Sequence, residues 1–573
     1  MQEVFAIPRG APRTASPCLF GQFSSSSGGV SVQKGLSAGT RGRTIWLAIW
    51  VSLFAFVVGH TALAANKPPK QKKDPSDALF ATNAPILTFS IQVSSNELAA
   101  LQKAERSYVR STITVGANVF HDVGVHLKGN GSFRPLNDKP SFVAKFDRYV
   151  PDQKFFGETK IALNNSSQDG TYLAEFMGNA VFRDADVPAS RITHARVKFN
   201  GRDLGLYVLV EMHNKEFLKR WFGNGGGSLY EAYLADIDSQ MDQDNGDDKS
   251  QNDRKRFAEV LKIPDPAQRW AKLREVMDVD RYVSHLVCEV FTSHTDGYAM
   301  NRNNYRIYHH PNTEKFTFIG HGVDWAFQNT GLSIKPPENA LVTKALLSVP
   351  EGRALFKERF GTLFTNIFQL EVMTNRVNTA VARLIAHTQN TNEVKDFLRY
   401  GAEMNARIIG RRQSITNKLY APPPVQLAFD STGVARLRGW TSFTRKNAGP
   451  ALYERGLDGS KRVLRIGAAN GPTIASWRTR VALEQGNYVF EGDVRGLGIL
   501  AHTNQSDFNL GAGLRISGPP ARTNDFILGN TPWSHLHFEF TANGEDVELV
   551  CELQAKGGDA WFDEDSLRIA RKK

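Results

Sequence analysis

The stretch that decides the fold is His294–Phe327, HTDGYAMNRNNYRIYHHPNTEKFTFIGHGVDWAF. An apolar helical pattern over Asp280–Phe291 leads into it, with Val283, Leu286, Val287, Val290 and Phe291 on one face. YRIYHH then reads as a strand, PNTE as a turn and KFTFIG as a second strand. The ends of a hairpin lie side by side. Asn301 stands at its entry and Asp324 just past its exit, so Asp296 and Asp324 are expected to converge although 28 residues separate them.

Such a pair suits phosphoryl transfer. One carboxylate orients the proton of an attacking hydroxyl, and hard oxygen ligands hold Mg²⁺ against a triphosphate. Asp296 followed five positions later by Asn301 has the D-x4-N spacing of a protein-kinase catalytic loop, and His294 precedes Asp296 by two. Asp324 takes the place of the Asp that opens D-F-G, although this chain reads D-W-A. Singly, these residues are ordinary turn and cap formers. Helix, D-x4-N, strand, turn, strand, Asp is a more demanding arrangement.

Upstream, LKGNGSFRPLNDKPSFVAKF joins two strands through a loop in which Gly129 and Gly131 would let the backbone approach phosphate oxygens. It is not a Walker motif. Lys139 and Lys145 share one face under period-two alternation, and either would hold a nucleotide phosphate. Glu175, in a helix predicted from Asp169 to Asp184, would orient one of them. HARVKFNGRDLGLYVLVE is a hairpin turning at Asn200–Gly201. It ends on Glu211, whose segment would join two lobes and face an adenine. Earlier, LTFSIQV, STITVGANVF and VGVHLKG alternate as half-buried strands.

The 573 residues allow two to four domains, and 41% hydrophobic with 22% charged residues is ordinary for a globular protein. Net charge is +12, but the basic residues are scattered, without the aromatic-interleaved Lys/Arg block of a nucleic-acid binder. No nucleic-acid partner is expected. Arg41 and Arg43, the apolar run Ile45–Val58 and TALAA at Thr61–Ala65 describe a secretory signal cleaved after Ala64. A retained anchor, and with it a membrane partner, is the alternative. Cleavage would remove five Lys/Arg and one Glu and leave +8. Cys288 and Cys551 would then remain, in different domains, as buried thiols rather than a disulfide framework.

The expected fold class is α+β, in five segments. Residues 1–64 are the signal and n-region, and 65–86 a charged, Pro-containing linker. Residues 87–420 form a bilobal kinase-like domain, and 421–425 a Pro-rich break. Residues 426–573 form a β-sandwich, jelly-roll-like, with turns at regular spacing. The acidic stretch 236–253 reads as a solvated loop, with a calcium site as the lesser alternative because its spacing misses the EF-hand pattern.

Over roughly residues 87–420 the chain resembles the CotH kinase family of spore-coat CotH-like proteins. The carriers are VGVHLKGNGSF, KPSFVAKFD, FFGETKIALNNSSQDGTYLAEFMG, VKFNGRDLGLYVLVEMHNKEFL, LYE, NRNNYRIYH and FTFIGHGVDWAF. The resemblance implies an atypical, secreted protein-kinase-like fold, ATP with Mg²⁺ or Mn²⁺, and phosphorylation of Ser or Thr on surface or coat proteins. It would make Asp296 the catalytic carboxylate and Asp324 a metal ligand, with Asn301 or Asn304 as a further ligand. Lys139 and Lys145 would meet the phosphates. Many members carry W-D-x-D where this chain reads GHGVD, so that His321 or Gly322 replaces the first Asp. A nucleotide-binding or protein-binding pseudokinase is the alternative reading. The C-terminal AWFDEDSLRI is similar to carbohydrate-binding or galactose-binding-like modules, which would offer Trp533 and Trp561 to a glycan unless both are core.

Overall fold

The computed structural model describes residues 74–420, 424–445, 448–468, 471–501, 510–517, 525–544 and 546–572. The signal-like run with its cleavage motif, residues 65–73 of the first linker, and Ala421–Pro423 lie outside the described residues. Lys72–Lys573 forms a unit apart from Met1–Gln71 and is described by itself. Among the described residues no helix is long and apolar enough to cross a membrane.

Seven strands close into a barrel: β1 (Leu87–Gln92), β2 (Val109–Val115), β3 (Asn118–Lys128), β4 (Ser141–Lys145), β5 (Lys160–Asn164), β6 (Ile192–Phe199) and β7 (Arg202–Glu211). Their order is β1-β2-β3-β4-β5-β7-β6, and parallel pairing of β1 with β6 shuts the ring. Alternation sends Phe89, Ile91, Leu127, Phe142, Phe146 and Tyr207 inward. Burying each such side chain is worth about 1.5–3 kcal/mol. The same alternation leaves Lys128, Lys145 and Asn164 on the outer face. STITVGANVF, expected to be one strand, is instead the turn of a hairpin. Gly116 takes φ +59°, and β2 reverses into β3 there. The helix expected from Asp169 starts at Ala174. Asp169 caps it from outside, accepting the N–H groups of Leu173 at 3.0 Å and Ala174 at 2.8 Å.

The second half of this domain holds a small sheet, β8 (Ser228–Glu231), β9 (Asp242–Asn245), β10 (Tyr305–His309) and β11 (Phe316–Gly320), in the order β11-β10-β8-β9. The helix Val279–Phe291 packs on β11, Pro350–Asn366 packs on that helix, and Leu370–Ala386 and Thr391–Leu419 pack on each other. The acidic stretch is not wholly solvated. It supplies β9, whose Asp244 meets the Arg306 guanidinium at 2.6 Å.

The C-terminal sandwich is one continuous sheet of eleven strands rather than two separate ones. Its two longest strands, Gln485–Ala501 and Asp546–Asp563, change partners midway. That partner exchange turns the corner and folds the sheet over Leu464, Phe490, Leu514, Leu553 and Phe562. Cys551 lies in this core and Cys288 in the helical one, both as free thiols.

Candidate active site

The helix Val279–Phe291 is buried along almost its whole length, and Glu289 is buried within it. The Glu289 carboxylate accepts the N–H of Tyr298 at 2.7 Å and of Ala299 at 3.1 Å. It thereby anchors the start of the short helix Tyr298–Asn301. Burial pushes Glu289 up to about 7 against those two hydrogen bonds. Gly297 is demanded by the same contact, because a Cβ there would lie 2.4 Å from Glu289 Oε1.

This anchor fixes Asp296, and three amides orient its carboxylate. Asn301 donates to Oδ1. Asn303 donates to Oδ2 at 3.0 Å, and Asn304 to Oδ2 at 2.7 Å and to the Asp296 carbonyl at 3.1 Å. Each amide that donates its N–H keeps a carbonyl oxygen as acceptor. Buried His294, pushed down to about 4 by its burial, faces the His321 carbonyl at 3.3 Å and packs the loop against the approach to Asp324.

Asp324 is pushed up to about 7 by burial, by Glu175 and by Asp296, against the pull of Lys128. The hairpin therefore brings the two aspartates into one field. Its strands are paired from Tyr305 with Gly320 to His309 with Phe316. Opposite stands Lys128, the last residue of β3. Its ammonium donates to Asn164 Oδ1 at 2.8 Å, and Asn164 Nδ2 donates to both Glu175 oxygens at 2.8 Å. Burial lowers the Lys128 pKa, while Glu175, Asp324 and Glu231 act to raise it. Burial raises that of Glu175, while Lys128 acts to lower it. A half-buried lysine and a half-buried glutamate thus share one asparagine beside two aspartates.

The remaining residues expected at the site are placed elsewhere or less directly. Gly129 and Gly131 follow Lys128 in the loop leaving β3. Gly129 adopts φ +108°, and Asn165 ties the loop down through the Ser132 and Lys139 carbonyls. Lys145 shares the outer barrel face with Lys128 but stands four register positions away, opposite Gly124 and Lys160. Lys139 is not brought to the cluster. Its ammonium donates to the Tyr172 hydroxyl at 2.6 Å and lies 5.0 Å from the Tyr207 ring centre, and burial pushes it down to about 8. Glu211 is buried in an ion cluster, accepting from Arg191 at 2.7 Å and Arg220 at 2.6 Å beside Glu158. Those bonds commit both of its oxygens, so it does not face an open ligand site. Lys128 and Asn164 are what sequence reasoning missed. The signal was present in VGVHLKG, where Val125 and Leu127 point inward and Lys128 must point out.

Among the described residues no three His, Cys, Asp or Glu side chains converge as a ready metal cage. The donor set nonetheless fits a divalent ion completed by nucleotide. Mg²⁺ is commonly held by one or two carboxylates plus substrate phosphates and water. Asp324 is a half-buried acid beside two other acids, which is where a cation relieves repulsion. Asn301 retains an oxygen beside Asp296. Where a second Asp would stand, Gly322 adopts φ +59° and a Cβ would lie 2.3 Å from Asn304 Oδ1. The Asn304 side chain fills that space.

No match appears among curated proteins. Among solved structures the chain is similar to three carbohydrate-binding modules. One is TmCBM61 in complex with β-1,4-galactotriose, at 13% identity and TM-score 0.18, covering 24% of this chain and 91% of that one. Another is a family 35 module from Clostridium thermocellum, at 16% and 0.15, covering 23% and 90%. The third is a module of Cellvibrio mixtus lichenase 5A in complex with cellotriose, at 14% and 0.15, covering 23% and 98%. These scores are too low to carry a statement about this chain. The model of the CotH kinase protein family, by contrast, matches residues 125–415, just over half of the chain, and spans every residue of the Lys128–Glu175–Asp296–Asp324 cluster. The chain belongs to the CotH kinase protein family.

Proposed function

We propose that this chain is an exported protein kinase that transfers the γ-phosphate of ATP to Ser or Thr of surface or extracellular proteins, with Mg²⁺ or Mn²⁺. The observation that carries the reading is the link Lys128–Asn164–Glu175 facing Asp324 and Asp296. In this reading Lys128 binds nucleotide phosphate and Glu175, through Asn164, holds it in place. Asp296 orients the acceptor hydroxyl, aimed by its three amides. Asp324 and Asn301 are the protein's ligands to the ion, which would neutralise charge on the transferred phosphoryl group. Export rests on the basic residues, apolar run and small-residue site near the N-terminus.

For the sandwich we propose a glycan partner at Trp533 and Trp561. Arg495 lies 5.7 Å from the first ring centre and 4.2 Å from the second. A cation held by Asp458 at 3.0 Å already stacks on each ring.

A non-catalytic reading has one observation in its favour, the Asn304 side chain standing where a further acid would be. Intact mass of the purified chain, with and without a protein acceptor, separates the readings after incubation with ATP and Mn²⁺. A phosphate gained by either protein supports the kinase. A gained adenylate assigns nucleotidyl transfer, and no gain on either protein leaves the non-catalytic reading.

A further inference from the structure

A cavity of about 560 Å³ opens on the far side of the helix Ala174–Asp184, away from the aspartates. Three elements build it. The helix Leu370–Ala386 contributes Val372, Asn375, Arg376, Thr379, Ala380 and Arg383, spaced as one helical face. The helix Ala174–Asp184 gives Phe176, Ala180 and Arg183, and the barrel and its approach give Arg191, Ile192, Phe80 and Thr82. The volume lies in the range of small-molecule sites. None of the lining residues belongs to the Lys128–Asp324 cluster.

Its charge is one-sided, with four arginines and no carboxylate in the lining. Arg191 is neutralised by Glu211, Glu158, Asp74 and Asp77. Arg376 has a single partner, Asp184, at 2.8 Å. Arg183 spends one Nη on the Ser190 carbonyl. Arg383 is 9% exposed, and it meets no acid. It reaches only the Ala81 carbonyl at 3.4 Å and His194 Nδ1 at 3.3 Å, and its buried Nε has no partner. Because Arg383 can only donate, His194 Nδ1 is the acceptor, and His194 Nε2–H donates to the Tyr172 carbonyl at 2.8 Å. The imidazole is therefore neutral. Arg383 remains as a buried guanidinium without a counter-ion, and half-buried Arg183 feels Glu211 and Asp184 without forming an ion pair, beside the apolar walls of Phe80, Phe176 and Ile192.

We propose that this cavity binds a phosphomonoester that carries an apolar group, its dianion seated between Arg383, Arg183 and Arg376 and its apolar part against Phe80 and Phe176. Unpaired Arg383, with Arg183 and Arg376 beside it, matches a dianion, and the fork geometry of arginine suits phosphate oxygens. Buried charge without a partner is otherwise costly to keep. The source is either a free phosphomonoester or a phosphorylated side chain of a protein.

The test is calorimetric titration of the full chain with phenyl phosphate. Inorganic phosphate serves as the anion-only control, and a Phe-containing phosphoserine peptide as the second source. Saturable phenyl phosphate binding, tighter than inorganic phosphate and unchanged by saturating ATP, is expected. The tighter of ester and peptide names the source. Arg383→Gln should weaken binding about tenfold, the worth of one charge-assisted hydrogen bond. Because Arg383 is buried, Val372→Asp, at a residue 46% exposed on the rim, is the second variant and should weaken binding without touching the fold. No binding, displacement by ATP, or affinity unchanged in Val372→Asp overturns the assignment.

Discussion

Substitution of Asp324 by Asn probes the coupling between protons and cation at the centre of the site. Burial, Glu175 and Asp296 push the Asp324 carboxyl up to about 7, from an ordinary value near 4. Its folded value lies above its unfolded one, so between those limits the native state holds the proton more tightly. The stability this confers is present below about pH 4 and is lost as pH rises through about 7. The full difference corresponds to about 4 kcal/mol, and partial solvent access to Asp324 reduces the working figure to about 2 kcal/mol. A divalent ion needs the ionised carboxylate and therefore displaces that proton. Mn²⁺ affinity of the full chain should rise about tenfold from pH 6 to pH 8, following the ionised fraction, and level off above the titration. Asp324→Asn should bind Mn²⁺ at least about tenfold more weakly, with a flat profile over the same range. Calorimetric titration with Mn²⁺ at a series of pH values, without nucleotide, reads both effects. Equal affinity in wild type and variant, or a wild-type profile that does not move with pH, would refute the reasoning.

Other substitutions separate neighbouring roles. Lys128→Met should abolish nucleotide binding measured by fluorescence with a labelled ATP analogue. Lys139→Met should retain it and cost only about 1–2 kcal/mol of stability through the lost Tyr172 and Tyr207 contacts. Glu289→Ala should lower stability by about 2–4 kcal/mol in denaturant titration, because it strands two N–H groups and opens a void. Glu211→Gln should cost about 1–3 kcal/mol, since two charge-assisted bonds become neutral ones while Glu158, Asp74 and Asp77 still face Arg191.

Much of the site's geometry was legible because it is local. The Asp296 loop, hairpin and Asp324 lie within one stretch, and strand pairing dictates their approach. Lys128 was legible too, from inward Val125 and Leu127 on one strand, but Lys139 and Lys145 beyond the glycine loop carry the same alternation signal. The place of Lys139 was not legible, because Tyr172 and Tyr207 reach it from distant parts of the chain. Glu211 was no easier, since its commitment depends on Arg191 and Arg220 approaching from other elements. At Gly116 the strand pattern runs on through the turn, and only the left-handed φ marks the reversal. The continuous sheet of the C-terminal domain was hidden for a similar reason. Alternation identifies a strand, but a change of partner midway leaves no mark on it.

The central claim is that the cluster on Lys128, Glu175, Asp296 and Asp324 moves phosphate. Its most direct measurement is incorporation of label from γ-labelled ATP, in the presence of Mn²⁺, into the chain itself and an added protein acceptor. Wild type, Lys128→Met, Asp296→Asn and Asp324→Asn would be compared side by side. The account predicts acid-stable label on Ser or Thr with wild type and background with all three variants. Label that persists undiminished in Asp296→Asn and Asp324→Asn, or that never appears with wild type, would contradict it.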